Sequence, residues 1–262
     1  MAEPETGRDA AGGGAAAGTA PEQEVRFEIL LPRPADAVWL AFRDPVVIRR
    51  WFGWEYDGLG PEIKSIFIDD TKADRKAHTV HIGGHVFALT GREDGHTLVR
   101  VTRAEPVRVA GEDVDWNLLY DDIEEGWVAF LQQMRFMLAR HPQDTRHTIF
   151  RVGSARGSVP APLGDLLGLT AAGHTRAGEP YVAEVGPGDR LEGEVWYRTD
   201  LQLGVTVDSW GDGLLVVTHS PSVPVPYGAA SMTLTTYGME PYALADLEAR
   251  WAAWFDKRYE GE

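Results

Sequence analysis

The chain has 262 residues, no cysteine and a formal net charge of −15, with 44% hydrophobic and 25% charged residues. This length allows one large domain or two smaller ones, and the lack of cysteine excludes disulfides, thiolate metal sites and a cysteine nucleophile. The excess of acidic residues argues against nucleic acid and anionic membranes as partners, because both require clustered Lys and Arg.

The N-terminal segment is rich in Gly, Ala, Pro and Glu and contains no run of large apolar residues. We therefore expect a disordered tail over residues 1–24. The chain shows neither a signal-peptide pattern nor the roughly 18 consecutive apolar residues that a membrane span needs. These features predict a soluble, cytoplasmic protein.

Residues 25–141 are predicted to form one α+β unit. VRFEILLP alternates with the period of a strand, and helical spacing then runs from Ala35 to a break at Asp44-Pro45, with a second short helix reaching Phe52. The runs IKSIFI, HTVHI, HVFALT and TLVRVT predict an antiparallel meander. DDIEEGWVAFLQQMRFMLAR carries one apolar stripe, which predicts a long amphipathic helix over about 122–140.

Residues 146–262 repeat this order of elements. RHTIFRV predicts a strand, and APLGDLLGL a weak helical stretch that contains three helix breakers. The runs YVAEV, LEGEVWYRT, LQLGVTV, LLVVTHS and ASMTLTTY predict further strands, and ALADLEARWAAWFDKRY a final amphipathic helix. The repeat favours two similar units in tandem, 25–141 and 146–262.

Several short motifs of the first half are shared with a known family. They are Val38-Trp39 early in the first helix, Asp44-Pro45 at its end, Trp51-Phe52-Gly53 after it, and Gly126-Trp127 opening the long helix. Through them, residues 25–140 resemble the activator of Hsp90 ATPase homologue 1-like family, within the Bet v 1-like or START-related helix-grip (SRPBCC) superfamily. The second half is similar only in its element order and its Trp-rich final helix.

The resemblance implies an α+β fold in which a curved antiparallel sheet wraps a long C-terminal helix, here in two tandem units. In many relatives a cavity between sheet and helix holds an apolar small molecule, so the first hypothesis is a protein that binds a hydrophobic or aromatic ligand. Tandem helix-grip units also occur in polyketide aromatase/cyclases, which makes such an enzyme the alternative. A co-chaperone-like interaction protein is a third hypothesis, suggested by the family alone.

The expected partner is accordingly a hydrophobic small molecule, and a homodimer is left open. No cofactor is expected, because the sequence contains no P-loop, dinucleotide-binding G-x-G-x-x-G or H-E-x-x-H motif. It also lacks the G-x-S-x-G of a nucleophile elbow.

Aromatic side chains are the candidate ligand contacts, although core packing is the alternative for each of them. Trp51, Phe52 and Trp54 follow the predicted pair of short helices, beside the expected mouth of the cavity. Trp39 and Trp127 are expected in the core. The candidate ligand-binding residues are Trp51, Phe52, Trp54, Phe87, Trp127 and Trp196.

Three histidines, His78, His81 and His85, are close enough in sequence to suggest a metal site. On a strand, residues 78 and 81 point to opposite faces, and Gly83-Gly84 is expected to turn the chain before 85. We therefore expect no metal to be bound there.

An enzyme of this kind would need titratable side chains in a cavity to move protons. The candidate catalytic residues are His78, Tyr120, Tyr197 and His219. His219 follows a strand in VVTHSP and could face the second cavity as a general base. An ordinary surface or core histidine is the alternative at that position.

Overall fold

The computed structural model describes residues 24–103, 116–156, 161–220 and 228–261, without the side chains of 116–122 and 220. The predicted disordered tail, 1–24, lies outside these residues except for Glu24.

The first half of the chain contains five strands and four α-helices among its described residues. They are β1 (Val25–Leu31), α1 (Ala35–Arg43), α2 (Pro45–Ile48), α3 (Leu59–Lys64), β2 (Lys72–Asp74), β3 (Thr79–Ile82), β4 (His85–Gly91), β5 (Thr97–Arg103) and α4 (Trp116–Arg140). A π-helical turn, Ser65–Asp69, follows α3 directly.

The second half contains seven strands and three α-helices among its described residues. They are β6 (Arg146–Ala155), α5 (Leu163–Leu167), α6 (Thr170–His174), β7 (Pro180–Glu184), β8 (Arg190–Arg198), β9 (Gln202–Val207), β10 (Gly213–Ser220), β11 (Ala229–Tyr237), α7 (Pro241–Asp256) and β12 (Tyr259–Gly261). A 3₁₀ turn, Asp208–Trp210, links β9 to β10.

Both halves form an antiparallel sheet with the same order of strands. In the first sheet β1 pairs with β5, and β4, β3 and β2 follow in turn. In the second sheet β6 pairs with β11, and β10, β9, β8 and β7 follow, while β12 extends the other edge beside β6. The prediction of an α+β fold with antiparallel sheets is confirmed, and the shared order is what a tandem repeat requires.

One predicted strand is wrong, because IKSIFI forms the end of α3 and the π-helical turn. Ile63 and Phe67 lie four residues apart and are both buried, as expected for one face of a helix. A short apolar run does not distinguish a strand from a buried helix by periodicity alone.

The long helix α4 packs between the two sheets. Trp127, Leu131 and Met134 belong to the core formed with the first sheet. Phe136, on another face of the helix, packs with Trp196 and other residues on the outer face of the second sheet. The inner face of that sheet packs against α5, α6 and α7. One helix therefore contributes to the cores of both halves.

Arg146, the first residue of β6, fastens the second half to the turn that follows α2. Its buried guanidinium donates to the carbonyls of Arg49 at 3.1 Å, Trp51 at 3.2 Å and Gly53 at 3.0 Å, and also to that of Phe52. Carbonyls after a helix end need such partners because the helix supplies none. The arginine thus holds the aromatic turn 51–54 against β6.

We predict that Arg146→Ala lowers the free energy of unfolding by about 3–5 kcal/mol, since several buried carbonyls lose their donor at once. Urea unfolding monitored by tryptophan fluorescence measures the change. Arg50→Ala is the matched control, because half-buried Arg50 donates only to the Pro142 carbonyl at 2.8 Å among its described hydrogen bonds. An equal loss in the two variants would contradict the special role of Arg146.

Candidate functional site

The first half contains a largely apolar cavity of about 410 Å³. It lies between α4, the α3 segment with its π-helical turn, and the turn between β3 and β4. Phe52, Trp127 and Phe130 form its aromatic wall, with ring centroids 4.8–6.2 Å apart. This volume and lining suit a small apolar molecule.

A buried ionic cluster centred on Glu124 joins α4 to the first sheet near this cavity. The Glu124 carboxylate accepts hydrogen bonds from Arg26 Nε at 2.8 Å and Arg103 Nε at 2.9 Å, and lies 3.3 Å from His85 Nε2. Burial acts to raise the pKa of Glu124, but these three hydrogen bonds outweigh it and lower the pKa below the ordinary value. Three strands, β1, β4 and β5, therefore hold the helix through one carboxylate.

The second half contains a cavity of about 300 Å³ between α5, α6, the turn from β8 to β9, and β10. Its lining combines apolar side chains such as Leu163, Leu203 and Val217 with polar ones. The titratable residues that line it are Asp165, His174, Arg198, Asp200 and His219.

The second cavity does not lie where the resemblance implied, between the sheet and its long helix. Leu247, Trp251 and Phe255 of α7 fill that space and are buried in the second core. The cavity is displaced toward the two short helices, which are separated by Gly168 with a φ of 98°. The left-handed conformation at Gly168 ends α5 and lets the chain start α6.

His219 lines this cavity from the end of β10. It lies two residues beyond Val217 on β10, and alternation places both side chains on the inner face of the sheet. Its backbone N–H donates to the Leu201 carbonyl at 2.9 Å. Its ring Nδ1 is buried and has no hydrogen-bond partner among the described residues. This imidazole nitrogen therefore keeps a hydrogen-bonding capacity that no described residue uses.

The turn that carries Asp200 is held rigidly beside His219. Thr199 Oγ1 accepts from the backbone N–H of Leu201 at 3.2 Å and of Gln202 at 2.9 Å. Arg198 donates to the Gly173 carbonyl and so ties the end of β8 to α6. These bonds fix the two sides of the cavity relative to each other.

Helix α4 of the first half supports the same turn from behind. Gln202, which lines the cavity, donates through Nε2 to the Glu125 carbonyl at 2.6 Å and to its carboxylate at 2.7 Å. Tyr197 donates its hydroxyl to Gln202 Oε1 at 2.6 Å. Burial, and then the charge of Glu125, raises the pKa of Tyr197, so the phenol stays protonated.

The six candidate ligand-binding residues are distributed over four places. Phe52 and Trp127 line the first cavity. Trp51 and Phe87 are fully buried in the first core, where Trp51 Nε1 donates to the Ala41 carbonyl at 2.9 Å. Trp54 stacks on Phe150 of β6 with centroids 3.6 Å apart, and Trp196 packs against α4.

The three candidate catalytic residues with described side chains are not brought together. His219 lines the second cavity, whereas Tyr197 lies on the outer face of the same sheet. His78 lies before β3 with a φ of 52°, its ring centroid 6.2 Å from that of Trp39. The side chain of Tyr120 lies outside the described residues.

Sequence reasoning missed most of the polar lining of the second cavity. His174, at the end of α6, and Asp200, in the turn before β9, are both part of it. Neither belongs to a motif, and turn residues of an acidic protein look like solvated surface in the sequence. Strand alternation past Val217 was the one available signal, and it pointed to His219.

No protein-family model matches the chain, and no curated protein matches it. The predicted membership of the activator of Hsp90 ATPase homologue 1-like family is therefore not confirmed. None of the described helices is both long enough and apolar enough to cross a membrane.

Solved structures similar to the chain include DynU16, a protein in the dynemicin biosynthetic locus (17% identity, 90% of this chain and 96% of that chain covered, TM-score 0.27). They also include the di-domain ARO/CYC BexL from the BE-7585A biosynthetic pathway (12% identity, 87% and 91% covered, TM-score 0.32). A third is the di-domain ARO/CYC StfQ from the steffimycin biosynthetic pathway (13% identity, 86% and 90% covered, TM-score 0.28).

The strand pairing and the cavities of this chain define an α+β protein with two antiparallel sheets of like strand order and a ligand-sized cavity in each half.

We predict that Glu124→Gln flattens the loss of stability in acid. The pKa of Glu124 is lowered in the folded state, so its contribution is present above the ordinary glutamate pKa and is lost as the pH falls through the folded value. Urea unfolding at several pH values between about 7 and 3 measures this. Glu28→Gln is the control, since Glu28 is exposed and pairs with exposed Arg100. Parallel pH profiles of stability for wild type and Glu124→Gln would contradict a stabilising role of the ionic cluster centred on Glu124.

Proposed function

We propose that this is a tandem helix-grip protein and an enzyme of the aromatase/cyclase type, which acts on a small organic molecule in the second cavity. One observation carries the proposal. His219 lines a cavity together with other titratable side chains, and its buried Nδ1 has no hydrogen-bond partner among the described residues. A buried polar atom without a partner costs stability, and a bound substrate relieves that cost.

The lining supplies the groups that a cyclisation of a poly-β-ketone needs. His219 can accept a proton from a carbon that lies between two carbonyls, and the carbanion then attacks a carbonyl further along the chain, forming a carbon–carbon bond. Arg198 provides positive charge for the oxygen that becomes negative in that step. The protonated imidazole returns the proton to this oxygen, and the apolar residues Leu203 and Val217 hold the folded chain.

We predict that the protein accelerates the intramolecular aldol cyclisation of a linear aromatic triketone, and that His219→Gln lowers kcat/KM about 100-fold because general base catalysis is lost. Product formation is measured by ultraviolet absorbance and mass spectrometry. His147→Gln is the control, since half-buried His147 does not line this cavity and pairs with Glu55 at 3.3 Å. No acceleration by the wild type, or equal rates with and without His219, would contradict the proposal.

Gly173→Leu gives an independent test of the location. Gly173 lines the second cavity, and a Cβ atom there would meet nothing within 4 Å among the described residues. A leucine therefore occupies the cavity while His219 stays intact. If Gly173→Leu still catalyses the cyclisation, the reaction takes place outside the second cavity.

A second candidate function is storage or transport of an apolar molecule in the first cavity. Its aromatic wall, formed by Phe52, Trp127 and Phe130, and its volume favour binding without polar chemistry. The two functions are compatible, because the cavities lie in different halves. A co-chaperone-like interaction stays a prediction.

We predict that Gly126→Leu abolishes the binding of N-phenyl-1-naphthylamine, a neutral apolar fluorophore, to the first cavity. Gly126 lines this cavity, and an added Cβ would meet nothing within 4 Å among the described residues. Replacing a helical glycine also favours α4 by about 1 kcal/mol, so lost binding cannot be ascribed to unfolding. Gly126→Ala, a smaller obstacle, is the matched control. If wild type and Gly126→Leu bind the fluorophore with equal affinity in a fluorescence titration, the fluorophore binds outside the first cavity.

A further inference from the structure

A third cleft, of about 410 Å³, lies between the two halves of the molecule. Its walls come from β1, from one face of α4 and from Trp196 of β8. Trp196 belongs to the outer face of the second sheet, so the cleft is separate from the cavity of His219 on the inner face.

Arg135 of α4 is the polar centre of this cleft. Its guanidinium carbon lies 4.3 Å from the ring centroid of Trp196, and its one described hydrogen bond goes to the neutral Gln132 Oε1 at 3.2 Å. No carboxylate lies within ion-pairing distance of it among the described residues. Arg140, later on the same helix, pairs with both Glu194 and Asp212. The two arginines of one helix thus differ in that only Arg140 pairs directly with carboxylates among the described residues.

The partly buried position of Arg135 makes the lack of a direct carboxylate partner energetically unfavourable. The side chain is half-buried, and desolvation lowers its pKa despite the opposing influence of Glu194. A guanidinium has five N–H donors in a planar fork, of which the described contacts use one. Glu28 also lines the cleft, but its carboxylate already accepts from Arg100 Nε at 2.7 Å.

We infer that this cleft binds a small organic anion, whose carboxylate or phosphate pairs with the Arg135 fork and whose apolar body lies against Ile29, Pro32 and Trp196. Carboxylate and phosphate oxygens match the spacing of the guanidinium donors, which is why arginine recognises both. The volume accommodates a bicyclic aromatic acid. The site does not depend on the chemistry proposed for the second cavity.

The experiment titrates the full-length protein calorimetrically with 2-naphthoate, 2-naphthyl phosphate and the neutral 2-naphthylmethanol. We expect at least one anion to bind about tenfold more tightly than the alcohol, and the tighter of the two identifies the head group. Arg135→Gln is expected to remove this preference, and Arg135→Lys, which keeps the charge but not the fork, to weaken it. Arg75→Gln is the matched control, because exposed Arg75 also lies near an indole, 6.0 Å from the Trp39 centroid, but pairs with Asp36.

The indole N–H signal of Trp196 locates the bound anion. The indole N–H donates to the Gln132 carbonyl at 3.3 Å. Its signal in the proton–nitrogen correlation spectrum is assigned as the one that disappears in Trp196→Phe. We expect it to shift on addition of the anion in wild type and in His219→Gln alike. Equal binding of anion and alcohol, an undiminished preference in Arg135→Gln, or an unmoved Trp196 signal would each overturn the inference.

Discussion

A single buried guanidinium, that of Arg146, determines how the two halves of this molecule fit together. Its described hydrogen bonds all go to uncharged oxygens, namely backbone carbonyls of the turn after α2 and Oε1 of Gln133 on α4. Burial lowers the pKa of Arg146 to about 10, so the group stays charged at neutral pH. A desolvated cation stabilises the fold only where acceptors are already arranged around it, and the carbonyls after a helix end provide that arrangement.

This constraint explains why the two cavities differ. The arginine fixes the turn 51–54 to β6, and α4 packs between the two sheets. Helix α4 therefore makes different contacts on its two sides. Toward the first sheet it presents Trp127 and Phe130 to an apolar cavity. Toward the second sheet its Glu125 holds Gln202 and, through it, the turn that carries Asp200. The first half therefore supports the polar cavity of the second half through these hydrogen bonds.

The elements that follow from local pattern could be predicted from the sequence. The apolar stripe of α4, the alternation of β1 and β10 and the repeated element order all arise from neighbours along the chain. What could not be predicted depends on distant partners. Trp51 and Trp54 look alike in the sequence, yet one donates to Ala41 within the core and the other stacks on Phe150 of the second half. Arg146 likewise resembles an ordinary charged residue at the start of a strand.

Under the proposed function, His219, whose Nδ1 has no hydrogen-bond partner among the described residues, belongs to the reactive cavity. Nitrogen-15 NMR of the histidine side chains tests it most directly, with the linear triketone added to the full-length protein. We expect the Nδ1 resonance of His219 to change, while that of half-buried His147 stays in place. A spectrum in which His219 does not respond to a triketone that demonstrably binds would contradict the account.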